Sequence, residues 1–486
     1  MTARARQAHG EDRLDPTLIL AVLSLAGLAY AVLSSAVLPA LPTFQHTLHT
    51  TETGAAWLLT AFLLSASVGT ALLGRLGDIY GKERMLVVTL VILAFGSLLA
   101  GLAGSLDVLI AARVIQGVAG GIFPLAFSII RDEFPPERVA GAIGLMSSIL
   151  GVGAGFGLVV GALIVEHLGW HWLFWIPFLV TVVAAAATWR YVPESVVRSP
   201  GRVNWAAAAV MSVGLSLVLI ATAQTTEWGW AGARTLGLFA AGVLVCAGWV
   251  TLEVRSRQPL VDMTMMRLRG VWTTNLAAFL LGAGMYSAFI VFPDFAQLPK
   301  STGFGFGASI IVSGLYLLPS CLLMGVLGSQ AGRVARRYGS KPSLVVGAGI
   351  TAVAFGWLWV AHAHPYDMLI SSALLGVGIG LAFAALGNLI VQAVPPEQTG
   401  VAGGMNTVMR TLGGALGAQL AATFIANNTG ADRLPSVTGF SESFLLSTVF
   451  LIVCVGASLL VPAPRPLHAP VHVDVDSPVP VLEEAR

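Results

Sequence analysis

Arg113, Asp294 and Arg410 each stand inside a long apolar run. In hydrocarbon an ionised side chain costs roughly 2.5–3.5 kcal/mol unless it faces a wet cavity or a polar partner, so such residues mark paths for ions, protons or substrates. Gln116 lies one turn from Arg113 and Asn406 one turn from Arg410, and each offers a partner. Asp294, directly after Pro293, is the candidate carboxylate for trading a proton. A different cluster occupies the turn from Gly74 to Arg84. Gly74, Gly77 and Gly81 permit a tight turn, and Asp78 can accept amide hydrogens at a helix start. Arg75, Lys82 and Arg84 can pair with carboxylates on neighbouring helices. A charge cluster that forms in one conformation and breaks in another is a gate, and Gly74, Arg75, Gly77, Asp78, Gly81 and Arg84 are assigned to it.

Other chemistries find no support. Cys246, Cys321 and Cys454 are scattered through apolar runs with neither metal-ligand nor disulfide spacing, and a core-packing role is expected for each. There is no His/Glu metal helix, no phosphate loop and no nucleophile with its base, so the chain is not expected to be an enzyme, to bind a metal or to use ATP directly. The net charge is +2 and the basic residues form no patch with interleaved aromatics, which leaves nucleic acid without a binding surface.

The residues that must position these side chains are overwhelmingly apolar: 56% are hydrophobic and only 10% charged, against about 25% charged in soluble domains. Fourteen runs are long enough to cross a bilayer, approximately 17–38, 54–76, 84–104, 107–130, 139–165, 170–190, 203–223, 233–252, 270–296, 304–331, 342–361, 366–394, 399–426 and 442–461. The first is read as an uncleaved helix and not as a signal peptide. With the N-terminus inside, Arg75, Lys82, Arg84, Arg131, Arg138, Arg190, Arg198, Arg202, Arg255, Arg257, Arg267, Arg269, Arg333, Arg336, Arg337 and Lys341 fall in inner turns, together with Arg4, Arg6, Arg13, Arg465 and Arg486. Only Arg234, Lys300 and Arg433 fall outside. Lys and Arg are retained on the cytoplasmic side of short loops, so both termini are expected in the cytoplasm of a multi-pass protein of the cell membrane. The expected organisation is a cytoplasmic tail (1–16), a six-helix bundle (17–190), a linker with two extra helices (191–269), a second bundle (270–462) and a disordered cytoplasmic tail (463–486).

Two repeated motifs support the paired bundles. Gly74-Arg75-Leu76-Gly77-Asp78-Ile79-Tyr80-Gly81-Lys82 returns as Gly332-Arg333-Val334-Ala335-Arg336-Arg337-Tyr338-Gly339-Ser340-Lys341, and 332 − 74 = 258. Pro135-Pro136-Glu137-Arg138 returns as Pro395-Pro396-Glu397-Gln398, and 395 − 135 = 260. Two unrelated motifs with nearly one offset imply parallel repeats related by an axis along the membrane normal, with runs seven and eight inserted between them.

At this point the chain resembles the major facilitator superfamily. Gly74, Leu76, Asp78, Gly81 and Arg84 match its Gly-x-Leu-x-Asp-x-x-Gly-x-x-Arg loop, and Arg113, Gln116 and Gly117 match its Arg-x-x-Gln-Gly motif. Gly153, Gly157 and Gly161 resemble the antiporter motif Gly-x-x-x-Gly-Pro-x-x-Gly-Gly, with Leu158 for its proline and Ala162 for its last glycine. Trp170-His171-Trp172-Leu173-Phe174 resembles the segment that follows this motif in fourteen-helix drug:proton antiporters. Where those exporters commonly carry an acid in the first helix, Tyr30 stands here.

The resemblance implies an all-α fold of two six-helix bundles plus two inserted helices. It adds Arg113 and Gln116 to Asp294 as proton-coupling candidates. It also implies proton-driven export of lipophilic or cationic small molecules such as drugs, antibiotics or natural products, with the proton gradient in place of a cofactor. An importer or facilitator of a small metabolite on the same fold is the alternative. The partners expected are the lipid bilayer and the lipophilic substrate, and the chain is expected to act as a monomer. A midplane cavity should draw on Ser34, Ser35, Thr60, Asn275, Tyr286, Tyr316, Asn388, Gln392, Asn406 and Arg410.

Overall fold

The computed structural model describes residues 15–195, 197–199, 201–430 and 434–462. Most of both expected tails, including Arg4, Arg6, Arg13, Arg465 and Arg486, and the outer Arg433 lie outside the described residues. Among the described residues the chain is helical, and its one β-bridge joins Thr429 to Pro435.

Helices or helix pairs occupy all fourteen apolar runs. They are α1 (Pro16–Ala36), α2 (Glu52–Tyr80), α3 (Lys82–Gly101), α4 (Leu106–Val118 and Ile122–Glu133, across a 3-10 turn), α5 (Pro136–His167), α6 (Trp172–Tyr191), α7 (Trp205–Ala223) and α8 (Ala233–Arg255). Then follow α9 (Arg269–Met285 and Ala288–Gln297), α10 (Ile310–Tyr316 and Leu318–Tyr338), α11 (Ser340–Val360), α12 (Pro365–Gln392), α13 (Thr399–Asn427) and α14 (Val437–Leu460).

Twelve of these are long and apolar enough to cross a membrane. The other two are α9 and α13, whose sequences carry more than lipid contact. The first is broken at Tyr286–Ser287 into helices of 17 and 10 residues. The second is continuous over 29 residues but rich in glycine and holds Asn406 and Arg410. A count of fourteen crossings is compatible with this architecture.

Helix pairing shows the repeat in three dimensions. In the first bundle α1 packs on α5 and α6, α2 on α4, and α3 on α4 and α6; adding eight to each label reproduces the neighbours in the second bundle. The bundles meet along two seams, α2 with α13 and α5 with α10, which the same shift exchanges. The turns that begin the motif-bearing helices also match: Gly81 has φ +115° and Gly339 φ +87°, conformations that a side chain rarely adopts.

The inserted pair α7 and α8 pack on one another, and α7 lies against both α2 and α13, beside one seam. Trp230, between them, donates its indole N–H to Thr423 Oγ1 of α13 at 2.8 Å. The connections into and out of the pair are tied together, since Asn204 donates to Ser256 and the Arg202 amide to Gln258.

Candidate functional site

The face of the molecule that carries the arginine-rich turns is called the basic face below. There the two seams are closed by glycine pairs. A Cβ on Gly74 of α2 would stand 2.3 Å from the Gly400 carbonyl oxygen of α13, and one on Gly332 of α10 would stand 2.6 Å from Gly141 Cα of α5. The offsets again agree, 332 − 74 = 258 and 400 − 141 = 259. Side chains of any size would hold these backbones apart.

Asp78, at the end of α2, is fully buried and accepts from the amides of Gly400 at 3.1 Å and Val401 at 3.0 Å, in the first turn of α13. Those amides lack partners within their own helix, and the positive end of the helix dipole favours a carboxylate. Asp78 therefore serves the opposite bundle and not the start of α3. Its counterpart in the repeat is Arg336, which donates to the Glu137 carbonyl at the start of α5, 3.0 Å away. Arg131 of α4 adds bonds to Thr399 Oγ1 at 2.7 Å and the Val394 carbonyl at 2.9 Å.

The remaining residues of the expected gate face the linker after α6. Arg75 donates to Ser199 at 3.0 Å, the Ser199 amide donates to the Asp78 carbonyl, and Arg84, largely exposed, lies 3.4 Å from Glu194. Glu194 also occupies the space beside Gly81, where a Cβ would stand 2.5 Å from its carboxylate. Gly77 leaves room for Leu125 of α4. Lys82 and Asp132 form a buried ion pair, and Ser195 donates to the same carboxylate. Asp132, Glu194, Ser195 and Ser199 are not among the residues expected from the sequence. Acids close behind the fourth and sixth apolar runs were the available signal for the first two; the serines carried none. Removing one member of a buried pair strands the other charge, at about 3–5 kcal/mol. Lys82→Met should therefore lower the thermal unfolding midpoint in detergent, and Lys82→Met with Asp132→Leu should recover much of the loss; equal midpoints for native and single variant would show that the pair contributes nothing.

The antiporter-motif stripe packs inside the first bundle. Gly153, Gly157 and Gly161 face Ala31, Val32, Ser35 and Ala36 of α1, with Gly157 leaving room for Ser35 Oγ. The face of α5 that meets the other bundle is a second stripe, Gly141, Gly144, Gly151 and Gly155, set against Gly332, Ala331, Met324 and Cys321 of α10. This stripe was legible as glycines but not as an interface, because spacing alone does not say which neighbour a face receives.

Of the expected cavity residues, the structure gathers only some. Asn388 donates to the Ala140 carbonyl across the α5–α12 contact, and Gln392 is exposed in the last turn of α12, so both belong to the basic end. Ser34 and Ser35 bond back to the Ala31 and Val32 carbonyls, and Thr60 to Ala56. Asn275 and Asn406 bond to each other at 3.0 Å, tying α9 to α13 and leaving Arg410 without the partner its sequence neighbour suggested. Tyr316 is half-buried beside Phe306. Asp294 is exposed near the end of α9 remote from the basic face.

Arg113, fully buried, donates Nε–H to the Leu58 carbonyl at 3.1 Å and Nη1–H to Gln116 Oε1 at 2.9 Å, while Gln116 donates to Ser97. Arg410, 8% exposed, lies over the Phe383 ring at 4.7 Å and beside Tyr286.

Two pseudo-symmetric helical bundles that meet along seams closed at one face have the architecture of a membrane transporter. The family model of the Major Facilitator Superfamily matches residues 23–418 and 276–483, and the chain belongs to that superfamily. It is a transporter and not an enzyme. It is 30% identical over 423 residues to the tetracenomycin C resistance and export protein of Streptomyces glaucescens, covering 85% of this chain and 76% of that protein. It is 27% identical to the cephamycin export protein of Amycolatopsis lactamdurans, covering 88% and 89%. Among solved structures, the proton:xylose symporter XylE aligns with a TM-score of 0.63 at 16% identity over 93% of this chain and 96% of that one, a likeness of fold.

Proposed function

We propose that this protein exports lipophilic small molecules of the antibiotic or natural-product type by proton antiport, with both termini in the cytoplasm and no cofactor beyond the proton gradient. The observation that carries the reading is the double glycine seam locked by Asp78 at the basic face. A contact built from close backbone approach and a few interbundle hydrogen bonds can be broken and remade, as alternating access requires. The excess of Lys and Arg on that face supports its placement at the cytosol, so the structure corresponds to the form closed toward the cell interior. The export functions of the two similar proteins support the direction. Inside-out vesicles should accumulate a neutral lipophilic dye such as Nile red on imposition of a proton gradient and release it on adding a protonophore. Uptake by whole cells that rises with expression would reverse the direction and favour the importer.

Asp294 is the proposed proton carrier, an exposed carboxylate in the ninth crossing, on the side remote from the basic face. Asp294→Asn should abolish uphill dye accumulation while substrate counterflow in proteoliposomes continues. Full uphill transport by this variant would remove the assignment.

A further inference from the structure

Among the described residues, the middle of the protein holds two arginines and no carboxylate. Arg113 comes from α4 of the first bundle and Arg410 from α13 of the second, and Tyr30 of α1 lies within electrostatic reach of both, together with Tyr286 of α9. Among the described residues every acid lies in a loop, a short helix or within about two turns of a helix end. The two guanidiniums are met by neutral groups: carbonyls and Gln116 for Arg113, a hydrogen bond with Tyr286 for Arg410, and the faces of Phe62 at 4.0 Å and Phe383 at 4.7 Å. Two N–H groups remain buried without a partner, Nη2 of Arg113 and Nε of Arg410. Each such group forfeits a hydrogen bond that a charged donor would make strongly.

The lining repeats while the charge does not. Tyr30 and Tyr286 hold corresponding places in the two halves, 286 − 30 = 256, as do Phe123 and Phe383, 383 − 123 = 260. Corresponding positions at the repeat interface are where transporters of this architecture place their ligand. The rings present flat apolar walls and the hydroxyls neutral donors. What the site lacks is negative charge.

We propose that Arg113 and Arg410, with the hydroxyls of Tyr30 and Tyr286, form a binding site for a lipophilic organic anion, an aromatic phenolate or carboxylate, held between the two bundles. The anion supplies the charge that both arginines are missing, its aromatic body lies against the phenyl rings, and because one arginine belongs to each bundle the ligand couples them. This rests on the transporter reading above and narrows its substrate class: a cation at the same place would meet two like charges and find no acid.

Fluorescein and rhodamine 6G share a xanthene ring and carry opposite charge, so they separate shape from charge. Fluorescence anisotropy with the full-length protein in lipid nanodiscs should show fluorescein bound at least about tenfold more tightly than rhodamine 6G, the scale of one charge-assisted hydrogen bond. Arg410→Gln should weaken fluorescein by a similar factor and leave rhodamine 6G unchanged or tighter. Tyr30→Glu, which places a carboxylate beside both arginines, should reverse the preference toward the cation, and it keeps the test decisive if Arg410→Gln does not fold. Preference for rhodamine 6G, binding of neither dye by monodisperse protein, or unaltered fluorescein binding in both variants would overturn the site. Inside-out vesicles distinguish the two readings: anion-selective binding with neither dye transported removes the exporter and leaves the site, whereas rhodamine 6G pumped and fluorescein ignored does the opposite.

Discussion

Asp78→Asn should reduce dye export by tenfold or more while leaving the protein folded in the membrane. The carboxylate accepts two amide hydrogens from the first turn of α13 and has no exposure to solvent. Hydrogen bonds to an ionised group contribute about 1.5–3 kcal/mol each. In the asparagine one acceptor becomes an NH2 that points at an N–H, and the attraction to the helix dipole is lost with the charge. A loss of about 3 kcal/mol in the closed form shifts a two-state equilibrium by roughly 100-fold. The seam should therefore stand open at the basic face. A cysteine at Val401, buried beneath the seam, should then react with a membrane-impermeant maleimide added to inside-out vesicles, in a background without Cys246, Cys321 and Cys454. Unchanged labelling alongside normal export would mean that Asp78 is a passive cap.

Gly74→Ala should abolish export outright, because no side-chain rearrangement can make room. The new Cβ would meet the Gly400 carbonyl oxygen at 2.3 Å and its carbon at 2.7 Å, and both are backbone atoms. Gly400→Ala meets the Gly74 carbonyl at 2.4 Å and the Asp78 carboxylate at 2.8 Å, so the two variants should behave alike. Overpacking of this kind costs about 1–3 kcal/mol or more. Here it falls on one conformation, since the atoms in conflict belong to different bundles. Expression and thermal midpoint should stay near native while transport disappears. Gly157→Ala makes the opposite comparison: its conflict is with Val32 and Ser35 of α1 inside one bundle, and it should lower the midpoint. Gly104→Ala, with open space around it, should do neither. A Gly74→Ala protein that transports normally would show that the α2–α13 seam need not close.

The helical architecture is legible in local residue pattern alone. A run of about twenty apolar residues has few options in a bilayer other than a helix, because lipid offers the backbone no hydrogen bonds. The two motif pairs near 258 and 260 positions apart then announced the repeat, and the neighbours of α1 to α6 recur among α9 to α14 as that offset requires. That Asp78 accepts amide hydrogens at a helix start was also legible, from a carboxylate at a helix end within a glycine-rich turn. Its partner was not. A motif reports what a residue can accept, whereas only packing of α2 on α13 decides that the amides it meets are those of Gly400 and Val401. The same holds for α5, which carries glycines on two faces: periodicity reveals both stripes, and tertiary structure alone assigns one to α1 and the other to α10. It also joined Asn406 to Asn275 in place of Arg410 and took Asn388 to the basic end. Local patterning settles which segments are helices, since that depends on contacts a few residues apart. Which side chains meet across the bundles depends on helix rotations that no short stretch of sequence encodes.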